Sequence, residues 1–171
     1  MIIGIVCTDK NWGIGKKNDL LFHLKKDMYF FRQQTSDSIV VCGYNTLLSF
    51  PGSKPLKDRS TICLCPEEVE RDDCYCIHDF DEMVKLVKEL AKTKVVWIIG
   101  GAMLYKSMLP YYDRVYVNKV DADGEAEVFF PNLDEYEGLE LFKQLPEIED
   151  EGYKTRLHIY AKNILPEELE R

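Results

Sequence analysis

No stretch of this 171-residue chain approaches the ~18 to 20 consecutive apolar residues of a membrane span, so no membrane partner is expected. The opening residues, MIIGIVCTDKNWGIG, lack both a basic leader and a small-residue cleavage site. They read as a strand rather than a signal peptide, and a cytoplasmic location follows as the expectation. Positive charge is in deficit: 22 Lys and Arg stand against 30 Asp and Glu, a net charge of −8. Binding a phosphate backbone needs a basic face, so nucleic acid is excluded as the main partner. An anionic small molecule is not excluded, because it needs only local cations and backbone N–H groups. The chain has no internal repeat, no low-complexity tract and no G-x-G-x-x-G dinucleotide fingerprint. Its six cysteines, at 7, 42, 63, 65, 74 and 76, include two C-x-C pairs but not the wider C-x₂₋₄-C spacing of zinc turns. Residues i and i+2 of a strand share a face, so these read as small apolar strand residues of a reducing compartment, with no metal.

What is present is an alternation of strand-like and helix-like segments in a length suited to one domain. Buried strands are predicted at Ile2–Thr8, Ile39–Gly43, Thr61–Cys65, Val95–Ile99 and Arg114–Asp121, with a weak one at Cys74–Ile77. Helices are predicted at Leu24–Thr35, Tyr44–Phe50, Phe80–Ala91 and Ala102–Leu109, the last stopped by Pro110. Leu139–Leu145 and Tyr153–Lys162 read as a closing antiparallel pair. The pattern predicts a single α/β domain over 1–163 and a tail over 164–171. Its core is a mostly parallel, twisted, eight-stranded sheet with an antiparallel C-terminal strand, flanked by about four helices. Asp9–His23 and Ala122–Glu137 read as long irregular loops, a kind of segment that is often functional.

Four features could carry chemistry. Leu24, Asp27, Met28 and Phe31 share one helix face, which sets a lone carboxylate in an apolar stripe. Such a carboxyl has a raised pKa and can deliver a proton. An acid in the first turn of a helix also serves the helix dipole, and the helix alone does not separate the two roles. Second, the strand VVWII runs into Gly100-Gly101 and then a helix, a junction where backbone can approach a ligand beyond a strand's carboxyl end. Third, Gly43-Tyr44-Asn45-Thr46 repeats the arrangement, either as a second contact for an extended phosphate-bearing ligand or as an ordinary cap. Fourth, Arg59 follows PLKD before a strand; a fixed arginine there suits bidentate carboxylate recognition.

In chain order these pieces resemble the dihydrofolate reductase family from Ile2 to about Lys162. The matching segments are the first strand, NWGIG (11–15), KKDMYFFRQQT (25–35), VVCGYNT (40–46), SFPGSKPLKDR (49–59), VVWIIGGAMLYKSMLP (95–110), VYVNKVDADGEAEVFFP (115–131) and the C-terminal strand. The resemblance implies NADPH-dependent reduction of 7,8-dihydrofolate to tetrahydrofolate for one-carbon metabolism, with NADH use left open. It implies a monomer, with diaminopyrimidine or methotrexate-like antifolates as inhibitors. Asp27 is implied as the single active-site acid, pairing with the pteridine and supplying the N5 proton through water. Ile5, Val6, Met28, Phe31, Phe50, Leu56 and Ile99 are implied as pocket lining, and Arg59 as the partner of the glutamate-tail carboxylate. Cys7, Ile14, Gly15, Asn18, Leu20, Leu64 and Cys65 are implied as cofactor contacts, as are Gly43, Tyr44, Asn45 and Thr46. Gly100, Gly101, Ala102, Met103, Leu104 and Tyr105 join them, with the 9–23 loop closing over the nicotinamide. The chain departs from the family at Leu21-Phe22, where Pro-Trp is common, and at Asn118, where threonine usually bridges to the acid. Ala102 replaces a frequent third glycine, and Tyr44-Asn45 replace a common basic pair that grips the cofactor's 2′-phosphate. Two rivals remain at this point. A same-fold reductase of a pyrimidine intermediate in riboflavin synthesis leaves Asp27 and Arg59 without matched roles. A non-catalytic pterin or nucleotide binder leaves Asp27 without a use.

The missing basic pair sets an expectation for cofactor choice. Exchanging charged for neutral partners removes on the order of 1 to 3 kcal/mol of preference for the phosphorylated cofactor, about 5- to 150-fold. The kcat/KM ratio for the two reduced cofactors is therefore expected to be modest and to rise in Tyr44→Arg. Discrimination beyond roughly a thousandfold in the wild type, or no gain in the variant, would contradict this.

Overall fold

The computed structural model describes residues 1–162. The expected tail at 164–171 lies outside the described residues. In chain order the strands are β1 (Ile2–Thr8), β2 (Gly13–Lys16), β3 (Asp19–Leu20), β4 (Ile39–Gly43), β5 (Ser60–Leu64) and β6 (Tyr75–Ile77). They continue with β7 (Val96–Ile98), β8 (Arg114–Val120), β9 (Val128–Phe129), β10 (Leu139–Gln144), β11 (Ile148–Asp150) and β12 (Tyr153–Lys162). The helices are α1 (Lys25–Thr35), α2 (Tyr44–Ser49), α3 (Phe80–Ala91) and α4 (Ala102–Ser107).

The main sheet runs β10-β12-β8-β1-β7-β4-β5-β6, with β11 paired to β12. The strands from β8 to β6 are parallel, and β12 turns antiparallel against β8. Period-two alternation sorts each parallel strand onto two cores. Ile2, Val6, Val41, Ile62, Val96 and Ile98 pack with Met83, Val84 and Val87 of α3 and with Leu104 and Tyr105 of α4. Ile3, Ile5, Val40, Cys42, Cys63, Trp97 and Ile99 pack on the other face with Leu47 of α2 and Phe30 and Phe31 of α1. The cysteines are free: Cys42, Cys63 and Cys76 stand in register across β4, β5 and β6, and the Cys65 and Cys76 sulfurs are 3.3 Å apart.

Two expected loops are ordered differently. The 9–23 segment is not irregular throughout: β2 pairs with β3 and with β9, which comes from the expected 122–137 loop. These strands are too short to show alternation, and β9 is supplied by a remote stretch of chain. The buried Asp9 carboxylate pins the two segments together. It accepts from the N–H groups of Asn11 at 2.8 Å, Gly13 at 2.7 Å and Gly124 at 3.0 Å. Leu21 packs over Gly124, and Phe22 meets the Tyr153 ring edge-on at 4.9 Å.

Candidate functional site

Helix α1 begins without a local cap. Leu24 occupies the cap position and has no side-chain acceptor to offer. The unpaired amides of the first turn are met from β11, where the buried Asp150 carboxylate accepts from Lys26 N at 3.2 Å and Asp27 N at 3.0 Å. This fixes α1 over the carboxyl end of β1 and sets Asp27 beside Cys7. Asn118 of β8 pairs with Cys7 across the sheet and donates its Nδ2–H to Asp27 Oδ1 at 2.9 Å. Burial raises the Asp27 pKa above the ordinary carboxylate range, and the Asp150 charge adds to it. The Asn118 hydrogen bond and the Cys7 thiol oppose that rise. The result is a half-buried carboxyl that holds a proton more readily than a solvated one, and that can pair with a hydrogen-bonding heterocycle and give up a proton.

The apolar stripe of α1 does not close onto the core. Leu24 is buried, but Met28 is 56% exposed and Phe31 only half-buried, so this face is a wall of an open cleft. Phe31, Phe50 and Leu56 gather on the same core as Ile5 and Ile99. Val6 is a correction: its side chain points into the opposite core, because neighbouring strand residues face opposite ways. Arg59 lies at the far end of α1. Its Nε donates to Thr35 Oγ1 at 3.2 Å, its Nη1 to the Lys57 carbonyl at 2.7 Å, and its carbon centre is 5.8 Å from the Phe31 ring. Desolvation and then neighbouring Arg32 lower its pKa against the pull of Asp58. Two cations therefore converge where the cleft ends, and Arg32 was not singled out by its sequence.

The predicted turns meet at the sheet's carboxyl edge. Gly43 N donates to the Gly100 carbonyl at 2.8 Å, which clamps the end of β4 to the turn after β7. Gly100 has φ +126, a conformation side chains rarely adopt, and a Cβ on Gly101 would sit 3.0 Å from Thr46 Oγ1. Gly43, Thr46, Gly100 and Gly101 thus form one open cradle. Leu104 and Tyr105 are buried behind the turn; the Tyr105 ring packs against Gly100, and its hydroxyl donates to the Ile5 carbonyl at 2.8 Å. Met103 is 85% exposed at the start of α4, and Ala102 is half-buried beside it. Tyr44 is half-buried and Asn45 exposed on α2; Cys65 is buried after β5, and Leu64 packs into the opposite core. Ile14 and Gly15 lie on β2, while Asn18 and Leu20 project from the exposed end of the small sheet. The structure also brings Arg71 to this edge: its Nη2 donates to the Ser53 carbonyl at 2.8 Å, just past α2. Lys16, which could have supplied charge, is tied to Glu125 at 3.3 Å.

The family described as "Dihydrofolate reductase" matches residues 1–162. A dihydrofolate reductase of Rattus norvegicus is 33% identical over 182 residues, covering 92% of this chain and 95% of its own length. One of Bos taurus is 31% identical over 183 residues, covering 93% and 96%. A solved structure, a dihydrofolate reductase from Enterococcus faecalis complexed with NADP(H) and RAB-propyl, matches with a TM-score of 0.83 at 27% identity. It covers 96% of this chain and 97% of that one.

The carboxyl's surroundings predict two opposite shifts. Asn118→Ala removes a donor that favours ionised Asp27, so the Asp27 pKa should rise. Asp150→Asn removes a like charge, so it should fall, with a modest loss of stability from the weakened helix start. A carbon-13 NMR titration of the Asp27 carboxyl reads both; shifts of the same sign would refute this assignment of causes.

Proposed function

Because this chain belongs to the dihydrofolate reductase family, it reduces 7,8-dihydrofolate to tetrahydrofolate with NADPH, and we propose that Asp27 is its proton-supplying group. The observation that carries the assignment is one acid, half-buried and hydrogen-bonded by Asn118, in an apolar cleft wall at the carboxyl end of β1. The reductase domain is taken as 1–163.

The edge of the sheet fits the cofactor. Gly101 leaves backbone where a Cβ would crowd Thr46, Gly100 takes a φ that side chains rarely adopt, and Gly43 is open beside them, so a phosphate-bearing chain can approach main-chain N–H groups. Cys7, Gly43, Thr46, Gly100, Gly101, Ala102 and Cys65 would hold it, with Ile14 and Gly15 above. When bound, the reduced nicotinamide supplies the hydride. The chain's own part is position, dryness and the proton. Ile5, Phe31, Phe50, Leu56 and Ile99 wall the ring and exclude water. Asp27, raised in pKa by its burial, binds the pteridine edge and holds the proton for N5. Arg59, with its fork fixed by Thr35 and Lys57, takes a carboxylate of the glutamate tail. The small β2-β3-β9 sheet is the element that closes over the reacting ring.

We also read the protein as a monomer of the cytoplasm. Its free cysteines suit a reducing compartment, and no helix among the described residues is long and apolar enough to cross a membrane. Diaminopyrimidines and methotrexate-like antifolates would bind by pairing a protonated ring with Asp27. Dihydrofolate-dependent oxidation of NADPH by the purified protein tests the whole reading: binding without turnover would instead support a non-catalytic binder.

Asp27→Asn should lower turnover near neutral pH by about 10²- to 10⁴-fold, with partial recovery in acid where solvent protonates the substrate. The same variant should melt no lower than wild type. A carboxyl whose pKa is raised on folding costs the native state once ionised, so the variant's gain is greatest above that raised pKa. It fades as pH falls below the ordinary carboxylate value. Retained activity at neutral pH would mark Asp27 as a helix-dipole acid only.

Arg59→Ala should raise KM for dihydrofolate far more than it lowers kcat. The lost pair is worth about 1.5 to 3 kcal/mol, roughly 10- to 150-fold in binding. It is remote from the reacting ring, so ground and transition state lose it alike. A pterin lacking the glutamate tail should be unaffected by the substitution; an equal loss with both substrates would rule the contact out.

A further inference from the structure

The row of strand ends has a direction. Along β1-β7-β4-β5-β6, Cys7 stands at one end beside Asp27. Gly43, Gly100 and Gly101 stand in the middle. Cys65, after β5, and His78, after β6, stand at the other end, bonded to each other through the Cys65 carbonyl. With the reacting ring at Asp27, as under Proposed function, the adenosine of a dinucleotide lies over β5 and β6. The connection there, PEEVERDD (66–73), carries Glu67, Glu68, Glu70, Asp72 and Asp73 against one cation, Arg71.

Each basic group at this end already has an acid from the same connection. Arg71 Nε donates to Asp73 Oδ1 at 2.8 Å and Nη2 to Asp73 Oδ2 at 2.7 Å. Nη2 also donates to the Ser53 carbonyl at 2.8 Å, just past α2. Across the connection, His78 Nδ1 faces the Pro66 carbonyl at 2.9 Å and its Nε2 is 3.2 Å from Glu70 Oε1. Both ring nitrogens meet acceptors, an arrangement that only imidazolium fully satisfies.

We propose that Arg71 is the residue that distinguishes the 2′-phosphorylated from the unphosphorylated cofactor, and that Asp73 is a built-in competitor that limits the distinction. A guanidinium fork fits a carboxylate and a phosphate equally well. A 2′-phosphate must therefore share the fork with Asp73 or displace it, and a displaced Asp73 becomes a repelling charge beside the dianion. An adenosine without the phosphate meets the pair intact and neutral. The Ser53 carbonyl keeps the fork beside the turn that follows α2 instead of leaving it in solvent. The cation missing from positions 44 and 45 is thus supplied from the β5–β6 connection, with its own counter-ion attached. The proposal rests on the placement of the reacting ring at Asp27.

The test compares wild type, Asp73→Asn, Arg71→Ala and Arg71→Lys. One readout is calorimetric affinity of the cofactor-free protein for 2′-phosphoadenosine 5′-phosphate against adenosine 5′-monophosphate. The other is kcat/KM for NADPH against NADH. Asp73→Asn should raise the phosphate preference about tenfold and Arg71→Ala should lower it about tenfold, one charge-assisted hydrogen bond in each direction. Arg71→Lys should recover part of what Arg71→Ala loses. If dihydrofolate is reduced normally and neither Asp73→Asn nor Arg71→Ala moves the preference beyond twofold, the proposal is overturned and the reductase reading stands. Equal weakening of both nucleotides in Arg71→Ala would overturn it as well, since the loop would then be merely structural. Failure of the wild type to bind either nucleotide would overturn both readings.

Discussion

Parallel pairing from β8 through β6, buried on both faces, is the constraint on which the other features depend. Parallel strands that share a sheet end their carboxyl termini on one edge, and their crossovers must cover both faces. The glycine turns, the end of β1 and the β5–β6 connection are far apart in sequence. They become neighbours because each follows a strand of the same direction. Alternation then decides which side chains can serve the site. Ile5 and Cys7 share the face covered by α1, while Val6 between them belongs to the other core.

Against that edge the fold spends stability on one group. Asp27 is held in a desolvated position by backbone it does not control. Its helix start is capped by Asp150 from β11, and its carboxylate is steadied by Asn118 from β8. The buried Asp9 does unrelated work, since three backbone amides satisfy it and it ties the two loops into one small sheet. The carboxylates of Asp9 and Asp27 therefore sit in opposite surroundings. The acid with three backbone donors is structural, and the acid with one side-chain donor and an apolar wall is the one we propose as reactive.

The adenosine end follows different physics. Its charges lie in a surface connection where pairs are partly solvated and exchangeable. On our proposal, cofactor choice is set there by competition between anions for one fork, whereas the proton affinity of Asp27 is set by burial.

Much of this was legible in the residues. Continuous apolar runs marked β1, β4, β5 and β7, and the spacing of Met83, Val84 and Val87 marked α3, because burial imposes a period that the chain must carry. Asp27, Arg59 and the glycine turns were legible for the same local reason: an acid in a stripe, an arginine after a turn, glycine where a strand meets a helix. What sequence could not show were partners brought in from a distance. Asp150 caps a helix that starts more than a hundred residues earlier, β9 completes β2, and Arg71 reaches the Ser53 carbonyl. Nothing in the spacing around Asp150 or Arg71 distinguishes them from solvated surface charges. Local pattern determines which elements form and which faces they bury. Only the packed sheet decides which distant side chains share a cleft, because that depends on strand order and direction rather than on any residue's neighbours in the chain.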